Sequence, residues 1–307
     1  MIKTIIWKAD YRLHPVLETQ VESYNTPINL FGTEWLIQDD YWMKHVHIKV
    51  TDACNAKCPF CIEQKSHIKN DWERLEANLD ELLKQMSEQH HLTTVSITGG
   101  EPSLYPHHVS RIIDIVRKYD ADFVTMNTNA TNLFPAMGKL DVIDISRHNI
   151  GSDPVCHLKA LDFDAIRKFK DEYPDTGVRI QTVLHDKGIK SVEQFIEFVK
   201  YYAPIADDIS VRRLITTDGQ SEDREDLFTE IKRYMYDNAG FVEQVLKDYY
   251  VYETWRFMDT DITFSHSNMK LLKDMEQVEP DNILREIVVH PDGLISGSWY
   301  RDMKIIK

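Results

Sequence analysis

Cys54, Cys58 and Cys61 stand in the run T-D-A-C-N-A-K-C-P-F-C, directly after the β-rich segment His45 to Thr51. Three thiolates so spaced can hold three irons of a cubane iron–sulfur cluster and leave the fourth iron open, and an open iron can bind a substrate or a second cofactor. Farther along, Gly99-Gly100-Glu101-Pro102 closes the apolar run Thr94 to Thr98. Two other chemistries compete for the cysteines. A zinc site wants four ligands, and His67 could complete one, but zinc leaves the glycine-rich run unexplained. A bacterial ferredoxin run uses two-residue spacings and a fourth cysteine. Cys156 stands apart and reads most plainly as a small buried apolar residue.

The cysteine usage fits a metal centre better than a disulfide framework, because three of the four cysteines fall within eight residues. Net charge is −14, from 36 basic and 50 acidic residues. Such a surface repels phosphate backbones, which argues against nonspecific nucleic-acid binding and suits a neutral or cationic substrate. No apolar run is long enough for a membrane span. The start, Met1 to Tyr11, is broken by Trp7-Lys8-Ala9-Asp10 and lacks a small-residue cleavage site, so it does not read as a signal peptide. The expected compartment is the cytoplasm.

These residues need elements to place them. Strands are expected at His45–Thr51, Thr94–Thr98, Asp122–Thr128, Val142–Ser146, Val178–Leu184 and Ile209–Leu214. Helical spacing of Trp72, Leu75, Leu79, Leu82 and Met86 predicts a first helix capped by Asn70 or Asp71, and Ser191 with Gln194 forms a capping box for a later one. Strands alternating with helices favour a parallel sheet, and six units are too few for an eight-stranded barrel. An open, partial barrel is expected over 45–214. The segment 1–44, with Trp35 and Trp42, is expected to pack across one end. The segment 215–307 should hold an acidic helix over Glu222–Leu246 and a hairpin, Ile287–Val289 with Leu294–Trp299, turning at Pro291-Asp292-Gly293.

The chain resembles the radical S-adenosylmethionine (SAM) superfamily over Lys44 to Leu214. The resemblance is carried by CxxxCxxC with Phe60 before the last cysteine, and by Gly99 to Pro102 after the second strand. It implies an α/β fold, a partial (β/α)6 barrel with short N-terminal and C-terminal extensions. It implies that Cys54, Cys58 and Cys61 ligate a [4Fe–4S] cluster whose open iron is chelated by SAM. One electron, supplied by an external reductant such as flavodoxin or ferredoxin, would split the sulfonium and give a 5′-deoxyadenosyl radical. In this resemblance Gly99 and Gly100 let backbone approach the ligand closely, Glu101 accepts the SAM amine or lies beside it, and Pro102 fixes the exit of the turn. Strand ends should face SAM or substrate, which makes Asn127, Ser146, Arg147 and Gln181 cofactor candidates, Ser146 and Arg147 toward the ribose and carboxylate, and Phe60 of the cysteine motif joins them. His148, His185, Arg212 and Arg213 become substrate candidates. Cys156 gains a sharper reading, a hydrogen donor to a substrate radical.

Peptide-modifying members often carry a cysteine-rich C-terminal extension, and no cysteine follows Cys156 here. The His290–Gly293 hairpin is similar to the start of such an extension without its cysteines. The expected activity is hydrogen abstraction from an unactivated C–H bond of a small metabolite or short peptide. One rival is a nucleotide-modifying enzyme, viperin-like or of molybdenum-cofactor type, with Arg212 and Arg213 on phosphates. Another is a noncatalytic iron–sulfur protein. Plainer readings stand beside these: His148 and His185 as core or loop residues, Arg212-Arg213 paired with the acids from Glu222 to Asp226, and Tyr249, Tyr250, Tyr252, Trp255 and Phe257 as core and lid.

Overall fold

The computed structural model describes residues 19–20, 24–39, 46–61, 68–89, 94–214, 225–247, 250–267, 280–299 and 301–307. Alternation dictates its centre. The runs I-D-I-S, V-R-I-Q and D-I-S-V-R alternate between apolar and polar residues, so each strand has one oily and one polar face. The oily faces meet amphipathic helices, and a parallel sheet follows.

Two short segments open the described chain: β1 (Thr19–Gln20), then the hairpin of β2 (Tyr24–Leu30) and β3 (Thr33–Asp39). The core then runs β4 (Val46–Lys49), α1 (Trp72–Glu88), β5 (Thr94–Thr98), α2 (Pro106–Lys118), β6 (Phe123–Thr128) and β7 (Val142–Ser146). It continues through α3 (Phe163–Glu172), β8 (Gly177–Leu184), α4 (Val192–Tyr202) and β9 (Asp208–Arg213). All six strands from β4 to β9 pair in parallel with their sequence neighbours, as the βα alternation predicts.

Helix starts follow the expected capping chemistry. Asp71 caps α1 by accepting from Arg74 N at 3.1 Å, which releases Asn70 for another task described below. Ser191 caps α4, but the Gln194 side chain returns to Lys190 N at 2.9 Å, one residue before the box position. Leu75, Leu79, Leu82, Leu83 and Met86 of α1 bury against the oily strand faces, among them Ile48, Val95 and Ile97.

After β9 the chain departs from the expectation. The helix predicted over Glu222–Leu246 is α5 (Glu225–Asn238) and stops at Ala239. The next residues form β10 (Gly240–Lys247), β11 (Tyr250–Phe257) and β12 (Thr260–Ser267). Phe241, Val245 and the Tyr-rich run beyond carry β-branched and aromatic character that the acidic helix signal masked. β10, β11 and β12 pair antiparallel, and β12 lies parallel to β9. Trp255 and Phe257 are buried there; Tyr249 lies outside the described residues.

At the other edge β14 (Ile287–Val289) joins β4 in parallel and folds back on β15 (Ile295–Ser296), so the predicted hairpin forms. Gly293 turns it at φ +79°, pressed against the backbone of Arg74 and Leu75 at the head of α1. The sheet order is β1-β10-β11-β12-β9-β8-β7-β6-β5-β4-β14-β15, a mixed and open sheet. A second sheet joins β2 and β3 to β13 (Ile283–Leu284). Its hairpin meets the far end of α1, where Gln89 and Asn29 exchange backbone–side-chain hydrogen bonds at 2.8 Å. Trp42, His67 and Glu222 lie outside the described residues. No helix among the described residues is long and apolar enough to cross a membrane.

Candidate active site

The cysteine loop leaves β4 at Val50 and is pinned at both ends. Asn70 donates to Val50 O at 2.7 Å and accepts from the Thr51 hydroxyl, while Asp52 accepts from Ile68 N at 3.0 Å. The glycine pair clamps it from β5. Gly100 N donates to Thr51 O at 2.6 Å and Glu101 N to Ala53 O at 2.8 Å. A Cβ on Gly100 would stand 2.2 Å from Ala53 O, and Gly99 has φ +123° with Thr51 O 2.6 Å from its would-be Cβ. The close approach expected of the two glycines is therefore made to the backbone that carries the cysteines.

Glu101 ties this clamp to β6. It is 1% exposed and accepts from Ser103 N, the Thr128 hydroxyl and Asn129 N at 3.0, 2.5 and 2.6 Å. Three of about four lone-pair directions are thus filled. Pro102 begins a single tight turn that Glu101 caps. Asn129 donates to Asn55 Oδ1 at 2.8 Å, and Asn55 donates to Thr131, so the cysteine loop is also held from the end of β6.

Arg147 follows Ser146 at the end of β7. It is buried, and its guanidinium donates to the carbonyls of Ser146 at 2.9 Å and Asn129 at 2.8 Å. Its Nε has no partner, and among the described residues no carboxylate bonds it. Burial lowers its pKa from the usual arginine value. A desolvated cation held only by carbonyls is a place for an anion.

The cysteines differ in surroundings. Cys54 and Cys61 are exposed, Cys58 is half-buried and Cys156 is fully buried. Burial raises the Cys54 thiol, whereas contact with Cys156 lowers Cys58 and raises Cys156. Phe60 packs against two histidine rings, 4.8 Å from His148 and 4.3 Å from His185, which also meet each other at 5.9 Å. Both histidines are buried, so the structure places them as walls for Phe60. Burial, with His185 next, pulls His148 down to about 3, which makes its ring neutral.

The polar strand faces form a wall opposite the helices. Asn127 donates to Ser96 at 3.0 Å, and the Gln181 amide, oriented to satisfy both neighbours, links Asn127 at 3.3 Å to Arg212 Nε at 2.6 Å. Arg212 shares this face, being in register with Val183, two residues from Gln181. Arg213 is in register with buried Leu184 on the helix-packed side, so successive residues of β9 do not present one paired grip. The acids proposed as their partners are Glu222 and Asp223, outside the described residues, and those at 225 and 226.

The comparisons meet this geometry. A model of the radical SAM superfamily matches residues 48–199. The probable GTP 3′,8-cyclase of Sulfolobus acidocaldarius is 30% identical over 168 residues, 51% of this chain and 52% of that protein. The chain belongs to the radical SAM superfamily. GTP 3′,8-cyclase of Listeria welshimeri is 30% identical over 167 residues, 52% of this chain and 45% of that protein, so the chain spans about half the length of the curated relatives it matches. Among solved structures, Streptococcus suis SuiB bound to SAM superposes with TM-score 0.55 at 16% identity, over 85% of this chain and 60% of that one. The SAM-bound anSMEcpe structure gives 0.52 at 14% identity, over 85% and 76%. At such identities these two bear on the fold alone.

The radical SAM cofactors suit the residues present. Soft thiol donors on a clamped loop fit iron–sulfur better than a hard cation. The buried Arg147 Nε fits a ligand carboxylate or ribose oxygen. Sequence reasoning missed Asn55 and Asp153, and it named Asn70 only as a cap. Asn55 lies inside the CxxxCxxC run itself, but its partner is 74 residues away, which no local pattern reveals.

Proposed function

We propose that this radical SAM protein is an enzyme that cleaves SAM reductively at one [4Fe–4S] cluster and abstracts hydrogen from a small metabolite or short peptide. The observation that carries it is the joint clamp: the glycine pair on the cysteine loop, Glu101 on β6, and a buried Arg147 lacking a bonded anion. When bound, the cluster supplies the electron that splits the sulfonium of SAM.

The chain's own residues do the rest. Cys54, Cys58 and Cys61 would hold the iron, and the exposure of Cys54 and Cys61 suits electron entry from an external flavodoxin or ferredoxin. Glu101 has one open lone-pair direction for the SAM amine. Arg147 would donate Nε–H to the carboxylate, with Ser146, Asn127 and Gln181 lining the polar wall. Gly99, Gly100 and Pro102 orient the loop, and Phe60, backed by His148 and His185, excludes water beside it. Arg212 faces the substrate side; Arg213 has the weaker claim. The division into 1–44, 45–214 and 215–307 belongs to this proposal, with the middle part carrying the cofactors.

A nucleotide substrate is a second reading, favoured by relatives named GTP 3′,8-cyclase and by Arg212 on the polar wall. Arg212→Ala should then abolish nucleotide binding while Arg213→Ala preserves it. For the main proposal, anaerobic reconstitution followed by dithionite and SAM should release 5′-deoxyadenosine. A folded, cluster-loaded protein that leaves SAM intact would instead be the noncatalytic iron–sulfur protein.

A further inference from the structure

The loop after β7 is built to carry one thiol to one place. Asp153 and Leu158 exchange two backbone hydrogen bonds of 2.8 Å, and the Asp153 carboxylate accepts from both Val155 N and Cys156 N at 3.0 Å. His157 takes φ +58°, a left-handed turn that a non-glycine residue adopts at a cost. Cys156 therefore sits in a closed hairpin. Its carbonyl accepts from Lys57 N at 2.9 Å, inside the cysteine run, and it packs with Ala56, Leu158, Cys58 and Phe60. The Cys156 and Cys58 sulfurs and a ring nitrogen of His148 all lie within 4.8 Å of one another.

Two cysteines and a histidine this close would ordinarily suggest a metal. The tautomer of His148 argues otherwise. Its Nδ1 accepts from Val183 N at 3.1 Å, so a neutral ring carries its proton on Nε2. A protonated nitrogen donates; it does not ligate. Cys156, with no access to water, likewise needs an acceptor for its S–H; the Asp153 carboxylate is within reach, but its Oδ1 already accepts from Val155 N and Cys156 N, and the Cys58 sulfur is the nearer partner for the thiol. The trio is two donors around one sulfur.

We propose that Cys156 and His148 are positioning residues for the cluster, donating S–H and Nε2–H hydrogen bonds to the Cys58 sulfur and making the cluster easier to reduce. This rests on Cys58 being a cluster ligand. Hydrogen bonds to ligand sulfurs withdraw electron density from the thiolate and raise the reduction potential. The role differs from hydrogen donation to a substrate radical, which needs the thiol turned toward substrate instead of toward Cys58.

The test is an EPR-monitored redox titration of the full-length, anaerobically reconstituted protein, with iron content measured for each variant. Cys156→Val fills the volume without a donor, Cys156→Ser keeps a donor, and His148→Phe keeps the ring packing on Phe60 without the N–H. Cys156→Val and His148→Phe should each lower the reduced fraction several-fold at a fixed potential, where tenfold corresponds to about 59 mV for one electron. Cys156→Ser should stay near the wild type. Equal midpoints in all loaded variants overturn the proposal. So does a Cys156→Val protein with unchanged midpoint that stalls after SAM cleavage, which would make Cys156 the hydrogen donor. Should Cys156→Val fail to load, His148→Phe alone decides. A wild-type protein that never takes up four irons per chain overturns the cluster reading itself, which the iron count separates from the other results.

Discussion

Buried charge is handled differently in two parts of the same sheet. Toward the starts of β8 and β9, Arg179 is half-buried and bonds Asp208 at 2.8 Å and Asp144 of β7 at 3.2 Å, while Asp261 of β12 pairs with Arg256. Every charge there has an opposite within the chain. At the ends of β5 to β7, Glu101 meets only neutral donors, and Arg147 meets only carbonyls and keeps one N–H without a partner. The first group is finished by folding. On the proposed reading the second is completed by a bound ligand, and the contrast is the reason for placing that ligand here.

Substitutions can break the contrast, and the largest effect belongs to the clamp. Gly100→Ala drives a methyl group into the Ala53 carbonyl, which is backbone and cannot turn aside. Iron loading should fall at least tenfold, as iron and sulfide assays would register; wild-type loading would mean the clamp does not place the cysteines. Next comes Arg179→Met, which leaves buried carboxylates unpaired and should cost about 3–5 kcal/mol in urea unfolding. Iron per folded chain should not change, because this group is structural.

Arg147→Met sharpens the other side. Removing a charge-assisted hydrogen bond is worth about 1.5–3 kcal/mol, or roughly tenfold to a hundredfold in SAM affinity. Equilibrium dialysis on cluster-loaded protein should show that loss with iron retained. Equal SAM affinity would remove Arg147 from the cofactor side.

The smallest effect is a pH slope. Burial pushes Asp208 up to about 7, with Asp144 and Asp261 adding to it and Arg179 opposing. The folded state therefore holds a proton that the unfolded chain releases near the ordinary aspartate value of about 4. Between these values the native state binds more protons, so stability should fall as pH rises from about 4 to 7. Asp208→Asn should flatten that part of the urea-midpoint profile; an unchanged slope would place the titration elsewhere.

Much of this was legible in the residues. Short β-rich runs alternating with helical periods announced the strands β4 to β9, and the cysteine spacing with the Gly99–Pro102 run announced the site. What stayed hidden depends on distance in the chain. The glycine pair was expected to face a ligand, yet its neighbours are Thr51 and Ala53, a contact between two strand ends. Asn55 with Asn129, and Cys58 with Cys156, are likewise pairings that only the parallel sheet creates. The segment Glu222 to Leu246 reads as one acidic helix, but beyond Asn238 the pairing of β10 with β11 overrides that reading.

The most direct measurement is the EPR spectrum of the reduced, reconstituted protein before and after SAM is added. Three protein thiolates would leave one iron for SAM to bind, so the g values should shift on addition, and no shift should follow 5′-methylthioadenosine, which lacks the chelating amine and carboxylate. An identical spectrum with and without SAM, in a protein carrying a full cluster, would contradict the account.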